Sequence, residues 1–412
     1  MARSEAHAIE AVHPGLSGQA DRGERRLRRI GAWLALFFLV QGELGAVWDR
    51  EWHAFVGRDQ FWTPPHTLIY SCIAGAGLVA LTVVLLDTAR YRRGMAGVDD
   101  SSTVPVFGLF HAPLGFVVAG FGGLLVLIAA PLDNYWHELY GIDVALWAPF
   151  HVMDIIGGVV GSLGMVQAFA SEATIDRERG RAGWNFLGFS ALELGVLTTL
   201  AGLLNFALTG FLQFPIATFG PLDVSTYPLP LAAGGAFCFI GALRFTCKPR
   251  AATFLVGLLL LHTLATELFV PWAVRTAVAQ QGMVYRVPGH VPYFRWDYTL
   301  LPLLFLVSAL IVDGFYFWKM RRGSKPEHVL RGWRAVGLMG VIITPPALLT
   351  APCILRTYSS YAPVFLPQPG LPVPAELWIE VVLFSVLVAL LFGAGGAIMG
   401  AEFGDIWRWG TR

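Results

Sequence analysis

The chain has 412 residues, 55% of them hydrophobic and 14% charged, with a net charge of +1 and a mean hydropathy of +0.60. Soluble domains carry about 25% charged residues, so this is the composition of a membrane protein, and the balanced charge argues against nucleic acid as a partner. Four cysteines, Cys72, Cys238, Cys247 and Cys353, show no CxxC pairing, which argues against a disulfide framework and against a thiolate metal site.

In chain order, residues 1–29 read as a polar cytoplasmic tail ending in the basic run ERRLRR. The tail lacks the apolar core and cleavage site of a signal peptide, so the first helix is expected to be an uncleaved anchor. A helix needs roughly 20 apolar residues to cross a bilayer. Ten stretches meet this: about 30–49, 64–87, 105–131, 149–171, 184–208, 228–246, 252–273, 298–318, 334–355 and 376–401. Arg90, Arg92 and Arg93, then Arg177, Arg179 and Arg181, then Lys248 and Arg250, then Lys319, Arg321, Arg322 and Lys325 follow the even-numbered stretches. The loops after the third and fifth carry no Lys or Arg, and the loop after the seventh, with Arg275, Arg286 and Arg295, is the exception. By the positive-inside bias both termini are cytoplasmic. The expected fold class is all-α: a polytopic protein of the plasma (inner) membrane, with about ten transmembrane helices in tandem hairpins. Residues 30–171 form a four-helix half, and residues 172–412 a six-helix extension packed in the same domain. The loops 209–227, 274–297 and 357–375, rich in Pro, Gly and aromatics, are expected to cap the outer face.

One pattern occurs twice. Asp49-x-x-Trp52-His53 is followed after eight residues by Trp62-x-Pro64-x-His66, and Asp133-x-x-Trp136-His137 is followed after nine by Trp147-x-Pro149-x-His151. An acid and a histidine four residues apart share a helix face. Thr63 can cap the next helix, and proline suits a first helical turn, where its missing N–H costs nothing. A turn-back between the two histidines brings all three side chains to one hairpin tip, on the extracytoplasmic side. A single Asp or His at a membrane interface is ordinarily just solvated; the repeat, with the same Trp and Pro companions, lifts the pattern above that background.

Two imidazoles and a carboxylate make a mixed N/O donor set that suits copper, zinc or non-haem iron and does not suit an all-oxygen calcium cage. Stacked haems are the competing reading, because histidines 13 or 14 apart on one straight helix would stand about 20 Å apart. The intervals GRDQFWTPP and ELYGIDVALWAP contain prolines and glycine and are not straight helix.

The first cluster, with Trp52, His53, Arg58, Asp59, Trp62, Thr63, Pro64 and His66, resembles the C subunit of the copper membrane monooxygenases, the family of particulate methane and ammonia monooxygenases. The resemblance covers about residues 30–165. That family has an Asp four before a His, with a second His thirteen later, which Asp49, His53 and His66 match. Its second site is an Asn, a His four later and a His fourteen later in an Ala-Pro-x-His context. His137, Ala148, Pro149 and His151 match it, while Asp133 stands where the family has Asn and adds a negative charge. The resemblance implies copper at Asp49, His53 and His66, and a second copper at Asp133, His137 and His151. It also implies dioxygen activation and hydroxylation of a small apolar substrate arriving from the lipid. It implies partner membrane subunits, including one with a cupredoxin part that this chain lacks; self-association is the other expected arrangement. Residues 172–412 have no counterpart in that subunit. The competing class is a membrane copper-binding, transport or accessory protein without catalysis.

The remaining candidates have ordinary readings beside functional ones. Asp154 and Glu138 read as outer partners of an imidazole or as solvated helix-end groups, and Arg58 with Asp59 as a loop ion pair. Trp52, Trp62, Trp136 and Trp147 read as the wall of a dry pocket or as an interfacial belt. Glu43, Glu193 and His262 sit inside apolar runs and read as interhelical hydrogen-bonding groups or as proton-path groups. Asn205 and Glu267 stand where degenerate copies of the pattern would fall. His111 reads as structural, and His7, His13 and His328 lie in polar tails or loops.

Overall fold

The computed structural model describes residues 14–57, 61–95, 99, 101–140, 148–181, 183–211, 216–219, 222–225, 228–355 and 375–408. The described chain is built from long helices: α1 (Pro14–Phe55), α2 (Pro64–Arg92), α3 (Leu114–Tyr140), α4 (Pro149–Glu178), α5 (Ala191–Phe211), α6 (Pro228–Thr246), α7 (Ala251–Gln281), α8 (Leu306–Arg321), α9 (Trp333–Leu355) and α10 (Ala375–Trp407). Among the described residues seven helical segments are long and apolar enough to cross a membrane, and three shorter apolar helices lie in α5, α6 and α9. The protein is therefore an α-helical membrane protein.

The chain forms two compact units, residues 1–199 with 281–289 and 410–412, and residues 200–280 with 290–409. In the first unit α1 and α2 form an antiparallel hairpin. Their close approaches step in opposite directions along the two helices: Gly31 against Val83, Gly42 against Cys72 and Gly45 against Ile69. The α3–α4 hairpin is tighter. A Cβ added at Gly122 would lie 2.4 Å from the backbone nitrogen of Gly161, one at Gly164 2.4 Å from that of Ala119, and one at Gly115 2.4 Å from that of Ala168. Membrane helices associate without a hydrophobic driving force, so small residues that admit backbone contact carry the interface.

The end of this unit opposite Asp49 and Asp133 is tied by a buried ionic network. Arg28 pairs with Glu24 and, at 2.7 Å, with Asp87; Arg25 reaches Glu172 at 3.1 Å and Asp176 at 2.9 Å; Arg29 reaches the same two carboxylates at 2.9 and 2.7 Å. Within the polar stretch 1–29, residues 14–29 belong to α1. ERRLRR is helical and its Glu24, Arg25 and Arg28 are buried, because their partners wait on α2 and α4. Removing one member of a buried pair leaves an uncompensated charge at a cost of about 3–5 kcal/mol. Arg28→Ala, which leaves buried Glu24 without its arginine and Asp87 with Arg90 as its remaining ion-pair partner, is expected to cost about that much, read as a lowered denaturation midpoint in detergent micelles.

Other boundaries also differ from expectation. The third helix starts at Leu114, not near 105, because β1 (Thr103–Val106) pairs antiparallel with β2 (Phe110–Pro113). The three-residue connection Phe107–Leu109 turns through Phe107 and Gly108, both at positive φ (50° and 68°), and the Leu109 N–H donates to the Val106 carbonyl at 3.0 Å. A two-residue hairpin, β3 (Asn185–Phe186) with β4 (Phe189–Ser190), likewise delays α5 to Ala191. Within the loop 209–227, β5 (Ile216–Phe219) pairs with β6 (Leu222–Ser225). Helix α7 continues past 273 to Gln281 with Pro271 inside it, so Arg275 is helical. The eighth helix is broken by Pro302 into a turn at Trp296–Thr299, a 3₁₀ segment at Leu301–Phe305 and α8.

In the second unit α6 packs on α10 through Gly396, Gly400 and Gly404, whose added Cβ atoms would fall 2.4, 2.3 and 2.8 Å from the carbonyl oxygens of Ala233, Phe237 and Gly241. Asp313 on α8 accepts the N–H groups of Ala252 at 3.3 Å and Thr253 at 2.8 Å, closing the first turn of α7 from a neighbouring helix. Among the described residues Cys72 and Cys238 are buried free thiols.

Candidate metal centre

Helix α1 stays regular through Asp49 and His53, which places the two side chains on successive turns of one face. It ends where the N–H groups of Val56 and Gly57 both reach the carbonyl of Trp52, with Gly57 at φ +71°, a conformation glycine adopts freely. The backbone N–H of Arg286 donates to the carbonyl of Phe55 at 2.7 Å, so the 281–289 segment clamps this helix end. Nothing in the sequence spacing announced that contact, since 231 residues separate the two partners. Trp52, 1% exposed, points into the protein and not into a lipid-facing belt.

The chain then reverses and α2 begins at Pro64, with Pro65 next. Thr63 holds the cap position, but its hydroxyl makes no cap hydrogen bond and is buried without a partner. The two prolines remove two of the N–H groups a cap would satisfy. His66, in the first turn, faces α1. Its Nε2 lies 3.1 Å from Oδ1 of Asp49, and Nε2 of His53 lies 3.5 Å from Oδ2 of the same carboxylate. One ligand atom from each of the three residues falls within 4.8 Å of the other two. All three side chains are half-buried. Around a tetrahedral cation with bonds of about 2.0–2.2 Å, ligand atoms stand roughly 3.3 Å apart; the two contacts to Asp49 have about that spacing, and the set as a whole lies within 4.8 Å.

The second cluster is built the same way. Asp133 lies on α3, and His151 in the first turn of α4 behind Pro149; Nε2 of His151 is 3.2 Å from Oδ2 of Asp133. His137 follows Asp133 by one turn of α3, but its side chain lies outside the described residues, as do Trp147 and the Arg58–Asp59 step. The glycine-mediated α3–α4 contact sets the Asp133–His151 distance, because it fixes how closely the two helices run.

Asp154, one turn beyond His151, is half-buried with Oδ1 unpartnered. It lies within Coulombic reach of Asp133 and His151 and also of His66 in the first cluster. Residues of both hairpin tips therefore lie near this one carboxylate. Such a juxtaposition of sites from two hairpins is not visible in either copy of the pattern. Three carboxylates, Asp49, Asp133 and Asp154, against three described imidazoles give a region that favours a cation.

Other candidates resolve into structural roles. Glu193 forms a capping box with Ser190: the Ser190 N–H donates to Glu193 Oε2 at 2.7 Å, and the Glu193 N–H to Ser190 Oγ at 3.2 Å. Glu138 accepts from Asn134 at 3.0 Å on an exposed face. His111 stacks on Tyr91 with ring centroids 3.7 Å apart and has Nε2 2.8 Å from the Thr103 hydroxyl. Glu267 accepts the Arg295 N–H at 3.1 Å, and Asn205 is buried in α5. Glu43 and His262 are half-buried within their helices. Trp62 is exposed beside Phe61 and Tyr70, and Trp136 packs against Tyr140 and Phe150.

An α-helical membrane protein with a carboxylate and two imidazoles converging between its first two helices is the class that fold and site define. Set against protein-family models, curated proteins and solved structures, the chain matches none of them.

Proposed function

We propose that the protein is a copper-dependent membrane oxygenase of the kind the first two hairpins resemble, a diverged relative of the C subunit of the methane and ammonia monooxygenases. The observation that carries the reading is the convergence of Asp49, His53 and His66 from two helices to within coordination spacing. Asp49, His53 and His66 would hold one copper, and Asp133, His137 and His151 a second. Bound there, copper would supply the one-electron chemistry that lets dioxygen react with an unactivated C–H or N–H bond. The chain's own contribution is to hold neutral imidazoles that suit both copper oxidation states, with Asp49 orienting the first pair and Asp133 the nitrogen of His151. Asp154 adds negative charge between the clusters, and Trp52 closes the protein side of the first against water.

In this reading all ten helices cross a plasma membrane with both termini in the cytoplasm. The hairpin tips bearing the clusters then lie on the extracytoplasmic side, since Arg90, Arg92, Arg93, Arg177 and Arg179 mark the opposite ends of α2 and α4. Dioxygen and an apolar molecule are the expected substrates, the bilayer is the medium, and other membrane subunits or a second copy are the expected partners. Elemental analysis of wild type, His53→Ala and His137→Ala, joined to oxygen uptake with small alkanes or ammonia, tests the reading. Copper lost from both variants and substrate-dependent oxygen uptake by wild type are expected. Copper without any such uptake would make the protein a copper carrier or accessory subunit, and wild type without copper would end the reading.

A further inference from the structure

The α2–α3 face of the first unit carries an apolar groove of about 830 Å³. Its walls are residues such as Ala74, Leu81, Phe116 and Leu127, and its floor is glycine. At Gly123 an added Cβ would sit 3.9 Å from the Cα of Gly77, and at Gly120 one would sit 4.0 Å from the Cβ of Ala80. The helices thus run close along the floor, with room for about one methyl group between them, and leave a slot above it. The lining runs from Tyr70 to Val84 on α2 and back from Phe116 to Pro131 on α3, about 20 Å at 1.5 Å per residue, or some two thirds of a roughly 30 Å hydrocarbon core. Leu78, Leu81, Leu124 and Leu127 on its rim are 63%, 49%, 49% and 62% exposed, as befits side chains facing lipid.

We propose that this groove binds one long unbranched alkyl chain taken from the bilayer, laid along α2 and α3 with one end at the metal centre. The outer end is marked by Tyr70, whose ring lies 5.8 Å from that of His66, and by Pro131, two residues before Asp133. The chain end therefore arrives between the two clusters. Size selects the occupant: about 300–1,000 Å³ is the range of pockets for drug-sized ligands, so a one- to three-carbon molecule would leave most of the groove unfilled. A helix about 10 Å across needs a wide trough, whereas the two helices here run only about one methyl group apart along the floor. As a statement about substrate, this rests on the oxygenase reading and replaces the small substrate expected from the sequence with a long-chain one. As a statement about binding, it stands without the metal.

The test uses delipidated full-length protein in detergent and a palmitoyl ester brominated along its chain, which quenches tryptophan emission on contact. Trp62 lines the outer end of the groove, so saturable quenching at one ester per protein is expected, and Trp62→Phe is expected to remove most of it. Gly77→Phe, at a position where an added Cβ meets nothing within 4 Å, and Gly120→Leu are each expected to weaken binding at least tenfold while leaving copper content unchanged. Gly158→Phe, equally open but outside the groove, is expected to change neither. His53→Ala is expected to lose copper and keep the ester, which separates failure of the metal reading from failure of this one. Quenching that never saturates, or affinity unchanged in both Gly77→Phe and Gly120→Leu, would overturn the proposal. So would efficient cross-linking of Leu124→Cys between copies in the bilayer, which would show a second chain in the groove.

Discussion

Asp49→Ala is expected to lower cation affinity at the first cluster by at least about 100-fold, beyond the ~10–100-fold typical of losing an outer-shell partner. The carboxylate touches both imidazoles, 3.1 Å from His66 and 3.5 Å from His53, so its removal deletes one ligand and frees the other two to reorient. Asparagine keeps the shape and one acceptor oxygen but drops the charge, and Asp49→Asn is expected to fall between wild type and alanine. The fold is expected to survive, because the α1–α2 contact rests on Gly42 against Cys72 and Gly45 against Ile69, away from the tip. Competition with a chelator of known affinity, alongside helicity by circular dichroism, measures both quantities. Unchanged affinity in Asp49→Ala would place the metal elsewhere.

Gly122→Val is expected to cost the protein its α3–α4 hairpin. The first added carbon would lie 2.4 Å from the nitrogen of Gly161 and 2.6 Å from the carbonyl oxygen of Gly157. Both are backbone atoms in regular helix, so relief requires moving one helix as a body. Overpacking against side chains costs about 1–3 kcal/mol; here the loss is expected to exceed that range, because Gly115, Gly157 and Gly164 share the interface and separate with it. Loss of monodisperse protein after extraction is the expected readout. Any protein recovered is expected to have lost the second cluster, since Asp133 and His151 sit on the two helices being forced apart. Gly158→Val, where an added Cβ meets nothing within 4 Å, is the control and is expected to behave as wild type.

Much of the first unit was legible because its signals are local. Asp49 and His53 share a helix face by spacing alone, and Pro64 and Pro149 announce where the returning helices begin. The Ser190-x-x-Glu193 capping box was equally local, yet the apolar run after it invited a reading of Glu193 as a group at membrane depth. The hairpin at 103–113 was hidden by hydrophobicity: Val104, Val106 and Phe110 suit a strand as well as a helix, and Phe107–Gly108 decided between them. The three glycines Gly396, Gly400 and Gly404, four apart on α10, form a small-residue stripe that the sequence displays openly. Their partners on α6, about 160 residues away, are not displayed.

By itself the sequence determined that this is a helical membrane protein and that two acid–histidine triplets sit at turn-backs between helices, because hydropathy and helical spacing act over a few turns. Tertiary structure decided that Asp49 bridges His53 and His66, that Asp154 lies within electrostatic reach of residues of both clusters, that Glu24, Arg25 and Arg28 are buried with Asp87 and Glu172 as partners, and that an apolar groove opens between α2 and α3. Each of these depends on how closely helices distant in sequence approach. That distance is set by which residues lack a side chain at the contact, a property of pairs that no single stretch of the chain contains.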